Sequence, residues 1–229
     1  MPRPPPMARC KLGAGVAKDL FDRNTRAKAG GEWLVALGLT LALLPLGLLI
    51  AAAIALEAAI AGERPQVLVG EPRRSAGRTF RLLKFRTFRV AAWREHLARA
   101  PGTSIKALEH RSEALTRTGR LLKRTYLDEL PQLLNVLGGE MALVGPRPYF
   151  ERDWENEPGL DIPARRLLRA GLVGPFQAVK GRVSGLDRVN ELDAAYLDHL
   201  RSASLPAVAV RDVALVARSV ATVLRAKGL

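Results

Sequence analysis

The most prominent hydrophobic pattern in this chain is a run without a period. Residues 33–56, WLVALGLTLALLPLGLLIAAAIAL, carry no charge. About 20 apolar residues can span a bilayer, so length alone predicts a membrane segment. Pro45 stands at the centre with Gly47 close behind it. A proline inside a helix removes one hydrogen bond and clashes with the preceding turn, which predicts a break there. The arms, 33–44 and 46–56, each reach roughly 17 Å at 1.5 Å per residue, about half of the hydrocarbon core. Both flanks are basic, with Arg23, Arg26 and Lys28 before and Arg64, Arg73, Arg74 and Arg78 after. Basic flanks stay on the cytoplasmic side. Together these features favour a re-entrant helix–break–helix over residues 28–63, dipping into the cytoplasmic leaflet and returning. A Pro-kinked spanning helix, a signal peptide or a buried soluble helix would each explain the apolar run alone.

Beyond residue 63 the pattern becomes periodic. Gln66–Val69 and Thr79–Phe85 are short β-compatible runs separated by the turn-rich segment 70–77, which predicts a hairpin. Residues 91–115 read as helical, interrupted at Pro101-Gly102. Residues 121–137 place Leu127, Leu130, Leu133, Leu134 and Leu137 at helical spacing, closed by Gly138-Gly139. Residues 142–150 and 158–185 are punctuated by Pro and Gly and read as loops or short strands. Two further helices are predicted over 187–200 and 206–226, the second amphipathic and basic. The fold class is therefore α+β and mainly helical. A basic, disordered leader (1–27) precedes the re-entrant membrane helix (28–63). A compact domain of helices with a small β-hairpin (64–229) follows.

Composition sharpens this picture in two ways. Among 229 residues, 48% are apolar, which excludes wholesale disorder. Cys10 is the only cysteine, and His96, His110 and His199 lack metal-site spacing, so a disulfide framework and a cysteine zinc cluster are excluded. The net charge is +14, and nearly all of the excess lies between Arg64 and Arg124. Such a block calls for an anionic partner: nucleic acid, lipid head groups or a phosphorylated substrate. Nucleic acid fits poorly, because aromatics are only 5% and no groove-reading motif is present.

Four constellations could carry chemistry. In Thr125-Tyr-Leu-Asp128-Glu129-Leu-Pro131-Gln132 the proline is tolerated only in a first helical turn, so Asp128 and Glu129 fall at a helix start. A carboxylate there stays ionised and suits a nucleophile; an ordinary N-cap is the plainer reading. In Gly145-Pro146-Arg147-Pro148 two prolines stiffen the support of a guanidinium, a fork for phosphate oxygens or merely a solvated arginine. In Leu83-Lys84-Phe85-Arg86-Thr87 alternation puts Lys84 and Arg86 on one strand face, which is either functional or solvated. Gln177-Ala-Val-Lys180-Gly181-Arg182 is the weakest. No GxxxxGK[ST], GxGxxG, GxSxG or HExxH motif occurs.

The segment 118–148, TGRLLKRTYLDELPQLLNVLGGEMALVGPRP, closely resembles the signature of the bacterial sugar transferase family, the monotopic polyprenyl-phosphate phosphoglycosyl transferases. GRTFRLLKFRTF (77–88), RAGLVGPFQAVKGR (169–182) and Glu191-Leu-Asp193-x-x-Tyr196 resemble further family motifs in order. The chain departs from the family pattern at Gly70-Glu71-Pro72, Arg74, Ala170 and Val173, and Gly31-Glu32 stands where Phe-Asp opens the hydrophobic helix. The resemblance implies transfer of a sugar-1-phosphate from a UDP-sugar to undecaprenyl (polyprenyl) phosphate, with release of UMP. It implies Mg²⁺ as cofactor, held by Asp128 and Glu129, and a location at the bacterial inner membrane. It makes Asp128 the covalent nucleophile and gives Glu129 the metal or the acceptor's proton. Lys84, Arg86, Arg147 and Arg182 become phosphate-binding residues. The expected partners are donor, acceptor and membrane lipids, without nucleic acid, and a homodimer stays open.

Overall fold

A computed structural model describes residues 14–99, 108, 111–179 and 185–225. It is a mainly helical α+β structure in which one long N-terminal helix runs beside a globular body carrying a small hairpin. Helix α1 spans Ala14–Ile60, 47 residues and about 70 Å. Among the described residues it is the one helix long and apolar enough to cross a membrane.

Two sequence expectations change here. The leader expected to be disordered through residue 27 is helical from Ala14 onward. The physical reason is docking onto the two C-terminal helices, α7 (Leu186–Ser202) and α8 (Leu205–Arg225). Asn24 is completely buried, and its Nδ2 donates to the carbonyls of Leu200 at 3.0 Å and Ala203 at 2.9 Å. Phe21 packs against the cluster formed by Leu197, Leu200 and Val208. The second change is at Pro45, which lies inside one continuous helix and does not end it. An interior proline costs a single bond to the carbonyl four residues back, and the flanking turns keep theirs.

One face of α1 is buried through Ala36, Ile50, Ile54 and Ala58, whereas Leu34, Leu41, Leu48, Leu49 and Leu56 stay exposed. The two acids that end its charge-free run serve as anchors. The Glu57 carboxylate accepts from the N–H groups of Arg117 (2.6 Å) and Thr118 (3.0 Å), at the start of α3 (Arg117–Thr125). Glu63 accepts from Arg86 Nη1 at 2.8 Å and from the N–H of Val90 at 3.1 Å, where α2 (Val90–Arg99) begins. Pro101-Gly102 lies outside the described residues.

The hairpin is longer than its sequence suggests. Strands β1 (Leu68–Ser75) and β2 (Arg78–Phe85) pair antiparallel from Leu68↔Phe85 to Ser75↔Arg78. Ala76 and Gly77 form a two-residue turn with φ of 47° and 73°, the left-handed pair whose twist matches a hairpin. Val69, Glu71, Arg73 and Ser75 face inward on β1, and Phe80 and Leu82 on β2, toward α1 and α4 (Gln132–Leu137). Buried Asn135 of α4 ties the two together: its Oδ1 accepts from the N–H of Leu83 at 2.9 Å, and its Nδ2 donates to Arg81 O at 2.8 Å.

The single helix expected over 121–137 is divided. Tyr126 adopts a left-handed conformation (φ 57°, ψ 15°) that closes α3, a 3₁₀ turn follows over Leu127–Glu129, and α4 starts at Gln132. Strands β3 (Ala142–Val144) and β4 (Gly171–Val173) form a short parallel pair. Short helices α5 (Glu151–Asn156) and α6 (Pro163–Leu167) lie between them in sequence.

Candidate active site

A cavity of about 640 Å³ opens where β2, the 3₁₀ turn, the loop after β3, strand β4, α8 and α1 meet. Lys84, Glu129 and Arg147 all line it, as do Leu39 and Leu43 of the apolar helix. Three residues singled out from separate sequence segments therefore converge on one wall.

The dyad is split in its surroundings. The Glu129 side chain is 37% exposed toward the cavity, and Lys84 Nζ sits 3.3 Å from its Oε1. The Asp128 side chain is only 2% exposed and is held by Lys123 Nζ at 3.0 Å. Their acidities diverge accordingly. Burial raises the Glu129 carboxyl, but Lys84, Lys123 and Arg147 outweigh it and leave the group below its ordinary value. Burial also raises Asp128, and there Lys123 and Lys84 do not cancel it, with Glu129's charge adding to the rise. The expectation of a carboxylate held ionised by a helix start thus applies to neither in that form. Both sit in the turn before α4, and ammonium groups set their charge. Tyr126, in its strained backbone conformation, lines the cavity beside them.

The support of Arg147 is built from backbone contacts. Strand β3 feeds directly into Gly145-Pro146-Arg147. A side chain cannot be placed at Gly145 or Gly171: a Cβ on the first would stand 2.3 Å from Arg169 O, and on the second 2.1 Å from Gly145 N. Glycine is required because the two strands' ends touch through bare backbone. Further on, Arg165 lies over the Tyr149 ring at 4.6 Å and pairs with buried Asp193 at 2.9 Å. Burial pushes Asp193 up to about 6 against the pull of Arg165.

Among the described residues, Arg86 and Asp128 were expected at the site and do not line the cavity. Arg86 is 1% exposed and is absorbed by Glu63 at 2.8 Å, one residue past the end of β2, where strand alternation no longer applies. Arg182 lies outside the described residues. Pro45 is on α1, away from the cavity wall.

Gln132 and Gln177, which belong to two of the constellations, line the cavity as well. Three further wall residues escaped the sequence reading as site residues: Arg73 of β1, and Ser219 and Thr222 of α8. The signal for Arg73 was its alternation with Glu71 and Ser75, masked by Gly70 and Pro72. Ser219 and Thr222 are polar residues three apart on a mostly apolar helix, a spacing that shares one face.

No group of three or more His, Cys, Asp or Glu side chains suited to a metal occurs among the described residues. Mg²⁺, however, is commonly bound through one or two carboxylates and substrate phosphates. Glu129 on the wall with Asp128 behind it fits that smaller requirement.

Comparison with known proteins bears on this arrangement. The profile of a family described as bacterial sugar transferase matches residues 23–226. The chain is 34% identical over 152 residues to a UDP-glucose:undecaprenyl-phosphate glucose-1-phosphate transferase of Caulobacter vibrioides, covering 65% of this chain and 52% of that protein. It is 33% identical over 162 residues to a UDP-galactose-lipid carrier transferase of Erwinia amylovora, covering 66% and 32%. It is 41% identical over 142 residues to an undecaprenyl-phosphate glucose phosphotransferase of Komagataeibacter xylinus, covering 59% and 24%. The aligned region is thus about half of the Caulobacter protein and a third or less of the other two.

Proposed function

The chain belongs to the bacterial sugar transferase family, and from that premise we propose that it is a phosphoglycosyl transferase. It moves a sugar-1-phosphate from a UDP-sugar to undecaprenyl (polyprenyl) phosphate on the cytoplasmic face of the inner membrane, beginning assembly of a surface glycan. The observation that carries this reading is one cavity lined at once by the Lys84–Glu129 pair, by Arg147 and by Leu39 and Leu43 of the apolar helix. A charged reaction centre and a lipid-compatible wall are what a soluble donor and a membrane acceptor need together. The relatives' names speak for the same chemistry in those proteins.

The reaction divides into two displacements. A carboxylate oxygen of Asp128 attacks the β-phosphorus of the UDP-sugar. The bond from that phosphorus to the bridging oxygen breaks, and UMP leaves with the electron pair. An aspartyl phosphosugar remains. An oxygen of the lipid phosphate then attacks the same phosphorus, the aspartyl P–O bond breaks, and the carboxylate is restored. Charge balances in each half without a net proton. Lys84 and Arg147 offset the negative charge on the phosphoryl oxygens, which is the protein's main task in such transfers. Mg²⁺, which Glu129 and Asp128 would hold with the donor's phosphate oxygens, would supply further neutralisation of that charge.

The burial of Asp128 favours a second assignment, in which Glu129, already on the wall, attacks and Asp128 fixes Lys123. In the first assignment the incoming phosphates draw Lys123 away and release Asp128. Intact-protein mass spectrometry with a UDP-sugar and Mg²⁺, acceptor omitted, separates them. An added phosphosugar that persists in Glu129→Gln and vanishes in Asp128→Asn supports Asp128. The reverse pattern supports Glu129. UMP release across a panel of UDP-sugars with undecaprenyl phosphate tests the function itself, and no release with any donor would reject it.

A further inference from the structure

The cavity wall holds a second guanidinium that the two displacements above leave unused. Arg73 is 8% exposed yet lines the cavity with Arg147. Its Nη2 pairs with Glu71 Oε2 at 2.7 Å, and its Nη1 donates to Pro148 O at 3.3 Å. The Phe150 ring lies 3.2 Å from its Cζ, fixing the guanidinium plane from the side. Five N–H donors are available on the group, and these contacts use two. Buried Nε has no hydrogen-bond partner. An arginine held this firmly with donors to spare is set for a ligand rather than for the fold alone.

Position and charge identify the ligand. Arg73 donates to the carbonyl of Pro148, the residue after Arg147, and Arg73, Arg147 and Glu129 share one cavity wall. On the dyad side each ammonium already faces a carboxylate, Lys84 with Glu129 and Lys123 with Asp128. Arg73 shares Glu71, whereas Arg147 makes no ion pair among the described residues. The uncompensated positive charge therefore lies at the Arg73–Arg147 end. Resting on the UDP-sugar reading, the attacked β-phosphate occupies the dyad, and the next anionic group along the donor is the α-phosphate.

We propose that Arg73, clamped by Glu71 and Phe150, binds the α-phosphate of the donor together with Arg147 and holds the leaving nucleotide monophosphate. A bidentate fork on that phosphate stabilises the charge that develops on the bridging oxygen as UMP departs. Glu71 is the positioning residue that sets the fork.

The test measures UMP and uridine binding to the detergent-solubilised full chain by titration calorimetry. Arg73→Lys keeps the charge and loses the fork. The double variant Glu71→Leu/Arg73→Met removes both members of the buried pair, which avoids leaving one charge stranded. Both variants should weaken UMP binding about tenfold or more, while uridine binding and KM for undecaprenyl phosphate stay within about twofold. Equal weakening of uridine, or a raised lipid KM with unchanged UMP affinity, would overturn the assignment. So would unchanged UMP affinity in a variant that still releases UMP. If the double variant does not fold, Arg73→Lys decides alone by the same criteria. Absence of UMP binding and of UMP release in the unaltered protein would instead overturn the UDP-sugar reading, and this assignment with it.

Discussion

Glu32 of α1 accepts a hydrogen bond from the backbone N–H of Val144 at 2.7 Å, across 112 positions of sequence. Lys28, one turn earlier and ion-paired with Glu32, donates to Val144 O at 2.8 Å. Two side chains of the apolar helix's leading turns thus satisfy the outer edge of β3, the strand that delivers Arg147. Lys28 also reaches Asp212 at 3.3 Å, whose Oδ1 accepts from the Tyr196 hydroxyl at 2.7 Å. The network joins α1, β3, α7 and α8 behind the cavity.

Removing Glu32 should therefore cost both stability and rate. Glu32→Ala leaves the Val144 N–H without its acceptor and Lys28 with Asp212 as its remaining ion partner, a loss of about 2 kcal/mol. Glu32→Gln keeps the acceptor and should cost about 1 kcal/mol. Because Arg147 is displaced rather than removed, kcat should fall more than KM rises in the alanine variant. Thermal melts in detergent paired with UMP-release kinetics read both effects; a Glu32→Ala protein as stable and active as the parent would dismiss the clamp.

Acidity at the dyad gives a pH signature. Burial raises Asp128 above its ordinary value, with Lys123 as the largest opposing influence. If Asp128 is the nucleophile, the donor half-reaction needs it ionised. The rate of UMP release without acceptor should then fall on the acid side at a pH above the usual aspartate range. Lys123→Met removes the main downward pull, so that limb should move to still higher pH. A limb that stays put in Lys123→Met argues that another group titrates there.

The same shift has a sign for stability. A carboxyl raised on folding binds protons more readily in the folded than in the unfolded protein, so its contribution is lost as pH rises between the two values. At neutral pH ionised Asp128 opposes folding. Asp128→Asn should consequently melt higher than the parent at pH 7.5, with the difference shrinking toward acid. A variant that melts lower at pH 7.5 would show that the Lys123 pair outweighs desolvation.

Much of this arrangement was legible in the sequence. Strand alternation, two flanking prolines and Pro131 mark Lys84, Arg147 and the dyad as candidates because each signal is local, but each leaves a plainer reading open that only the family resemblance decides. Arg86 defeated the same alternation, since the strand ends at Phe85 and the next side chain turns to Glu63. Arg73 was hidden because β1 runs through Gly70 and Pro72, residues that usually interrupt strands. The inward face of β1 is itself polar, with Glu71 and Arg73 paired to each other and Ser75 donating to Glu140 O, which erases the usual hydrophobic alternation. The break at Tyr126 left no trace either. Leu122 belongs to one cluster with Leu127 and Leu130, and Leu133 to another, so apolar spacing continues across the interruption.

The contact between the strand ends predicts an all-or-none glycine effect. A Cβ at Gly171 would sit 2.1 Å from Gly145 N and 2.4 Å from Val173 O, both backbone atoms that cannot swing aside. Gly171→Ala must push β3 and β4 apart and carry Arg147 with them. UMP release should drop at least about 100-fold, a mispositioning effect, while UDP-sugar binding weakens less. Gly47→Ala, at a position with nothing within 4 Å, is the matched control and should leave activity near that of the parent. Normal turnover by Gly171→Ala would mean that the Arg147 loop is not held where the structure places it.

The last prediction concerns how α1 meets the membrane. From Asn24 to Glu57 the helix covers about 50 Å, more than the ~30 Å hydrocarbon core. Both ends are tied to one globular body, Asn24 to the carbonyls of Leu200 and Ala203 and Glu57 to the N–H groups of Arg117 and Thr118. A spanning helix would carry these anchors to opposite sides of the bilayer and tear one of them from its partners. Both ends should therefore lie on the cytoplasmic side, with Leu34, Leu41, Leu48 and Leu49 in the leaflet. In a protein with Cys10 replaced by serine, single cysteines at exposed Asp19 and Arg78 can be probed with an impermeant thiol reagent. Both should stay unlabelled in intact cells and both should label once the cells are opened. Pro45→Ala restores the bond to Leu41 O but leaves both anchors, so the pattern should persist. Labelling of one position alone in intact cells would mean that α1 crosses the bilayer, and the anchors at Asn24 and Glu57 could not both form.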